Sequence, residues 1–498
     1  MEPAEQLVGE FLTEYRATGG YLREHVAQLA ELALSEDEAV AEGATRAVFT
    51  SLVEPLADSF DPDAVKLYNR AFAQVIQICR RDARAAALDD QLQKFGLLSE
   101  DDLVARAETL RIVSGLTVPR GSLQRVIVLS RVTLGADVAI TSVIIERLKR
   151  DFPQADIVLV GGSKVAQLFG GDPRLSFAEN SYRRTGATIA RLLGWIDLLE
   201  CVNELTRGLK RGEYLIVDPD TRLTQLGLLP ITPAAGQPQR GPASHQPYLA
   251  AAPQRDYLFF PSREYGCGTS RSLGELTSAW LDEVFGESAT IFPRLSLSPD
   301  DIETARALID RMKHRLRPII AINFGVGENQ RKRVGGDFEA SLVARLIQDG
   351  NHIVLDKGAG EDEIGRADAV IARATQMELE GRRVRAVEID EQSLVGAPGS
   401  KVTDAEILVW NGRVGMLAAL IAESNLYVGY DSAGQHIAAA LGVPCIDVFA
   451  GFSSPRMIER WRPTGQAETR VLAVDRSRDD SASDVVEKVL GYASELLK

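Results

Sequence analysis

The sequence predicts an α/β protein with two doubly wound halves behind a helical N-terminal region. Three observations carry this. Residues 1–120 repeat apolar side chains at helical spacing with few β-branched runs, as in EQLVGEFLTEYRATGGYLREHVAQLAELAL. From residue 124 short apolar runs alternate with amphipathic segments, the pattern of βαβ units in a parallel sheet. That alternation restarts near residue 318. We therefore expect a separate helical domain or appendage over 1–120, a first half over 121–300 and a second over 301–498. A chain of 498 residues exceeds one ordinary core.

In the first half RVIVLS is a strand, RVTLGAD a glycine-containing loop, VAITSVIIERLKRDFP a helix, and ADIVLVGG a second strand. EYLIVDPD at 213–220 is a further strand. Residues 229–256, rich in Pro, Ala and Gln, read either as a mobile loop or linker or as an ordered surface loop. In the second half the strands are PIIAINFG, HIVLDKG, RRVRAVEID, NLYVGY and CIDVFA. The helices are DFEASLVARLIQDG, MLAALIAES and the C-terminal SASDVVEKVLGYASELLK.

Composition narrows the function. Asp and Glu total 70 against 56 Lys and Arg, which argues against general nucleic-acid binding. The four cysteines lie far apart and form no C-x-x-C pair, so neither a zinc knuckle nor a disulfide framework is expected, and a reducing cytosol fits. The first residues, MEPAEQLVGEFLTEY, lack a basic region followed by an apolar core, so no secretory leader is expected. No apolar run reaches the roughly 18 residues of a membrane span.

Ligands of open parallel sheets bind beyond the carboxyl ends of the strands. Four loops fall there. In RVTLGAD, Gly135 and Ala136 allow a tight turn, and Asp137 is either a helix N-cap or a general base facing the cleft between the halves. In NFGVGENQRKRV, Gly325 and Gly327 permit close backbone approach, and Arg331, Lys332 and Arg333 supply charge for a phosphate or diphosphate; the alternative is a solvated basic face. In DKGAGED, Glu361 either meets a ribose or base or belongs to an exposed acidic loop. In YDSAGQHIAAALGVP, Asp431 and Ser432 open a helix whose start suits a diphosphate, with small Ala433 and Gly434 beside it and His436 in its first turns, as a ligand-contacting, supporting or structural group.

The stretch DSAGQHIAAALGVP, 431–444, resembles the signature of glycosyltransferase family 9, the heptosyltransferases. TLGADVAITSVIIERLKRDFPQADIVLVG, EYLIVDPDTRLTQLGLL and NFGVGENQRKRVGGDFEASLVARL are similar to further family segments in the same order, over about 120–475. Four departures stand out. Asn323-Phe324-Gly325 replaces His-Pro-Gly, Val334 replaces a Trp after Lys332-Arg333, Ala136 separates Gly135 from Asp137, and Ser432-Ala433 replaces Thr-Gly. The helical segment 1–120 lies outside the family's plan.

The resemblance implies a GT-B architecture, two Rossmann-like domains facing across a cleft. The C-terminal domain would hold a nucleotide-diphospho-sugar, ADP-heptose by resemblance. The N-terminal domain would hold a lipid-linked saccharide of the lipopolysaccharide core. Transfer would be inverting. Asp137 would be the base, and Lys332, Arg333 and the amides at Ser432 to Gly434 would stabilise the departing diphosphate. Asp431 and His436 would orient donor groups, with Gly135, Gly325 and Glu361 in the binding surface. No metal or other cofactor is required. The enzyme would be cytoplasmic, touching the inner membrane peripherally, with RMKHRLR at 311–317 either contributing or forming a solvated face. Alternatives are a nucleotide-sugar epimerase or hydrolase, and a non-catalytic scaffold or sensor.

Overall fold

The structure is a computed structural model and describes residues 3–111, 123–232, 256–312, 317–327, 329–379, 381–394, 402–475 and 481–498. Most of the Pro- and Ala-rich loop, 233–255, and residues 313–316 of the basic segment lie outside the described residues.

Each half builds one parallel sheet. The first contains β1 (Arg125–Leu129), β2 (Asp156–Gly161), β3 (Leu175–Glu179), β4 (Tyr214–Asp218) and β5 (Tyr257–Phe259), in the spatial order β3-β2-β1-β4-β5. The second contains β6 (Ile319–Asn323) and β7 (His352–Asp356). After a two-stranded hairpin of β8 (Glu378–Leu379) and β9 (Arg382–Arg383), it continues with β10 (Ala386–Asp390), β11 (Ile407–Asn411), β12 (Leu426–Tyr430), β13 (Cys445–Ala450) and β14 (Thr469–Val474). Its order is β10-β11-β7-β6-β12-β13-β14. Strand order reverses between β1 and β4 in one sheet and between β6 and β12 in the other. These are the switch points where a crevice opens at the strand ends.

The alternation of side chains along β1 explains how the sheet is covered. Ile127 and Leu129 face one core, with Val160 and Ile216, while Val126 and Val128 face another. The first core is completed by the N-terminal helices through Leu52, Phe72, Ile76, Leu88 and Leu103. Residues 3–111 therefore share a core with the first sheet. A parallel sheet must be covered on both faces, and residues 3–111 form the cover of one. The second core runs from the other face of the first sheet, through the helices Leu273–Phe285 and Pro299–Met312, to Ile319 and Ala321 of β6. The far face of the second sheet is covered by the helices Phe338–Gln348 and Ala482–Leu496. Ser481 and Asp484 close a reciprocal capping box at the last of these. Among the described residues no helix is long and apolar enough to cross a membrane.

Candidate functional site at the facing switch points

The two switch points meet. A Cβ built on Gly135, after β1, would lie 3.1 Å from His436 Cδ2 and 3.4 Å from the Ala433 Cα, at the start of the helix Ala433–Ala440 after β12. Only a glycine allows this approach without displacing its neighbours.

On the first sheet's side Asp137 holds the turn together. Its carboxylate accepts from Ser130 Oγ at 2.7 Å, the Arg131 amide at 2.6 Å and Thr141 Oγ1 at 2.9 Å. Burial pushes its pKa up to about 6, although those three donors pull it down. The side chain is 0% exposed, so it is enclosed and does not face an open cleft in this state. It is not a simple N-cap either, since it starts an irregular π turn, Asp137–Thr141. The neighbouring Val132 and Asp220 both have positive φ, 76° and 66°. Such backbone costs about 1–2 kcal/mol per residue and persists where the surroundings enforce it. Arg131 supplies the enforcement. Its Nη1 donates to the carbonyls of Pro219 and Asp220 at 2.7 and 2.5 Å, and Arg263 donates to Asp220 Oδ2 at 2.8 Å. Arg131 thus ties the loop after β1 to the loop after β4, and Arg263 ties the segment after β5 to the same loop; the sequence reading selected neither arginine.

On the second sheet's side Lys332 pairs with Asp431. Its Nζ lies 2.6 Å from Asp431 Oδ2 and donates to the Asp431 carbonyl at 3.2 Å. Burial alone would lower its pKa, but Asp431 and nearby acids outweigh that and raise it, so Lys332 is a cation. Gln435 Nε2 donates to the other Asp431 oxygen at 3.0 Å. Around this pair, buried polar atoms stand without a hydrogen-bond partner among the described residues: Gln435 Oε1 and both carboxyl oxygens of Asp447. Burial and the Asp431 charge push Asp447 well above the usual carboxylate range, with Lys332 opposing. Its signal in the sequence was a lone acid inside the apolar strand CIDVFA.

Four expected binding groups have other employment here. Arg333 turns inward; its Nη2 meets Asp362 Oδ2 at 2.6 Å, and it is 2% exposed. The amides of the glycine loop are taken by Glu363, whose Oε1 accepts from Val326 and Gly327 at 3.2 Å each. Its Oε2 accepts from the Ala359 amide at 3.1 Å. Gly325 donates to Asn323 Oδ1 at 2.9 Å, and a Cβ there would come 3.0 Å from Glu363 Oε1. Its smallness thus serves this carboxylate. Glu361 is exposed in the first turn of the helix Glu361–Thr375, two residues short of the acid that turns in. Gly434 is small because Tyr427 stands beneath it; a Cβ there would be 2.0 Å from the phenol oxygen. Arg331 is exposed.

His436 is buried, and burial lowers its pKa to about 4 against the pull of Asp431. It is a neutral imidazole, a polar contact and not a cation. Its ring meets Trp461 edge-on at 6.0 Å, and Trp461 meets Phe60 of the N-terminal helices at 6.1 Å. All three parts of the chain converge on this stack. Among the described residues no three His, Cys, Asp or Glu side chains gather as a metal site would require.

Residues 411–489, from the end of β11 into the last helix, match the family model of glycosyltransferase family 9 (heptosyltransferase). No curated protein matches the chain in sequence. Among solved structures the family 9 glycosyl transferase from Veillonella parvula aligns over 76% of this chain and 99% of its own, with a TM-score of 0.53 and 16% identity. The E. coli ADP-heptose lipopolysaccharide heptosyltransferase II aligns over 75% and 98%, at a TM-score of 0.46 and 14% identity. E. coli heptosyltransferase WaaC with ADP aligns over 75% and 99%, at 0.47 and 14%. Only the first is close enough to argue from, and it establishes the shared GT-B fold. In the sequence of its C-terminal part and in the fold of its two sheets, this chain resembles glycosyltransferase family 9.

Proposed function

We propose that this protein is an inverting glycosyltransferase whose second sheet holds a nucleotide-diphospho-sugar and whose first sheet holds the acceptor. The observation that carries the reading is the Lys332–Asp431 pair at the second switch point. A cation there stands beside the start of the helix Ala433–Ala440, whose first residue approaches Gly135 of the first sheet. An acceptor hydroxyl oxygen attacks the anomeric carbon. The bond from that carbon to the diphosphate oxygen breaks, and the nucleoside diphosphate leaves with the electron pair. Lys332 stabilises the charge that develops on it, the kind of effect that dominates such transfers. Attack in line with departure inverts the anomeric centre. The hydroxyl proton passes to Asp137, which requires the turn at Gly135 to part from His436 and expose the carboxylate. Asp431 orients Lys332, and His436 offers a neutral ring nitrogen to donor hydroxyls.

By resemblance the donor is ADP-heptose and the acceptor a lipid-linked core saccharide, handled in the cytoplasm at the inner membrane surface. A second reading, a scaffold without catalysis, is favoured by the inward Arg333 and by Glu363 occupying the glycine-loop amides.

Thermal unfolding with ADP, UDP, GDP, CMP and their sugar nucleotides separates the two. A ligand at 100 times its dissociation constant adds about 2.7 kcal/mol of stability. We expect a raised midpoint with one nucleotide class that Lys332→Ala abolishes. No shift with any nucleotide would leave the scaffold.

A further inference from the structure

We propose that the cavity between the two halves at the amino ends of their sheets is a second ligand site, and that it takes a planar aromatic ring bearing a phosphate. The proposal is independent of the nucleotide-sugar reading above, because none of its residues belongs to the facing switch points.

The cavity has a volume of about 720 Å³, within the range of small-molecule sites. Both halves build it. The first supplies Arg150, in the last turn of the helix Ser142–Asp151, and the segment 290–294. The second supplies residues 439–442, where the helix Ala433–Ala440 ends, and Gln466. In a parallel sheet each helix starts beyond the carboxyl end of one strand and finishes near the amino end of the next. The helix Ala433–Ala440 starts at the transfer site, and its last residues wall the cavity. It is 8 residues long, and at 1.5 Å per residue about 12 Å of helix separates the two. The cavity is therefore a different site.

Its walls carry an excess of positive charge. Lys149 is neutralised twice, by Glu146 Oε1 at 2.5 Å and by Asp172 Oδ2 at 2.6 Å. The acid that lines the cavity, Glu146, is thereby taken. Arg150 donates to a neutral partner, Ser288 Oγ. Among the described residues neither Arg150 nor Arg294 has an acid within ion-pair distance, and both are exposed. This stands out in a chain with 70 acidic against 56 basic residues. A phosphate monoester carries about −1.5 to −2 charges at neutral pH, enough to balance two arginines, and its oxygens match the guanidinium fork. A carboxylate would balance one.

Phe292 supplies a face for the ring. It is 37% exposed, although the segment that carries it is held in place. The buried Arg147 donates to Ser288 Oγ at 2.9 Å and to the Gly286 carbonyl, ahead of it in the chain. Beyond it Pro293 is buried, and the Arg294 amide donates to Ser142 Oγ at 3.2 Å. A phenylalanine fixed at a cavity wall with its ring open is placed to stack. A single exposed phenylalanine or arginine is ordinary. Their convergence on one cavity is what selects an aromatic anion.

The test is titration calorimetry of the full-length protein with naphthyl phosphate, inorganic phosphate and naphthol. The variants are Arg294→Ala, Phe292→Ala and Lys332→Ala. The first two remove exposed side chains, so the fold should survive them. We expect naphthyl phosphate to bind wild type about tenfold more tightly than either of its parts. Arg294→Ala should weaken it about tenfold, the scale of a lost charge-assisted bond. Phe292→Ala should weaken it several-fold and leave inorganic phosphate unchanged. Lys332→Ala should leave all three compounds unchanged. Binding that Lys332→Ala abolishes and Arg294→Ala spares would put the compound in the transfer site, which overturns the proposal and supports the nucleotide reading. Equal affinity for naphthyl and inorganic phosphate overturns it too, because the ring would then add nothing. If wild type binds no naphthyl phosphate at millimolar concentration, the proposal falls and the nucleotide reading is untouched.

Discussion

Lys332, Asp431 and Asp447 put one cation beside two buried acids at the end of the second sheet. Lys332 pairs with Asp431, and burial beside the Asp431 charge raises the pKa of Asp447. This has a definite sign. A carboxyl whose folded pKa lies above its unfolded value of 3.8 binds more protons in the folded state, and stability falls as pH rises from about 4 toward the folded value. Asp447→Asn removes that penalty. Its stability relative to wild type, from urea titrations at pH 4 and pH 8, should improve as pH rises. An opposite trend would mean that Asp447 is ionised and paired. Asp137 makes a second prediction. With a pKa of about 6, it accepts a proton only above that value, so transfer should rise with pH through about 6 and level off. Asp137→Asn should abolish the transfer. A profile flat from pH 5 to pH 8 would remove Asp137 from the base role.

At the scale of elements the glycine loop after β6 is the feature that sequence pattern described least well. Glycines beside a basic run at a strand end suggested amides open to a phosphate, but those amides answer Glu363, which comes from the next strand–helix unit. Glu363→Ala should cost about 1–3 kcal/mol and speed hydrogen exchange at Val326, Gly327 and Ala359. Unchanged protection at those amides would mean that the loop holds its shape without the acid. Much else was legible. The runs RVIVLS, EYLIVDPD, PIIAINFG, HIVLDKG and NLYVGY became β1, β4, β6, β7 and β12, because continuous apolar runs suit strands buried on both faces. The pairing of Lys332 with Asp431 completes two loops that were each selected separately. Sequence spacing could not show which carboxylate of GAGEDE turns inward, or that Arg333 bonds within its own half. Those outcomes depend on side-chain directions set by packing between non-adjacent strands. The π turn at Asp137 was hidden for the same reason: a local helical pattern says nothing of the three donors that enclose the carboxylate.

For the whole molecule, the central question is whether the N-terminal helices are a removable module. Their apolar faces and those of β1, β2, β4 and β5 form one core. Leu52, Phe72, Ile76 and Leu88 share it with Ile127, Leu129, Val160, Ile216 and Phe259. A protein beginning near residue 121 would expose an entire sheet face, far more contiguous apolar surface than a soluble monomer tolerates. It would also lose Phe60 from the stack on Trp461 and His436. We therefore expect that fragment to aggregate, and residues 3–111 alone to lack a fixed tertiary structure. In calorimetry of the intact chain the helices should melt together with the first sheet, without a transition of their own. Ligand binding at Lys332 should raise the temperature of that shared transition too, because Phe60 and Arg456 join the helices to the second sheet. A separate early transition that nucleotide leaves unmoved would make the helices an independent appendage.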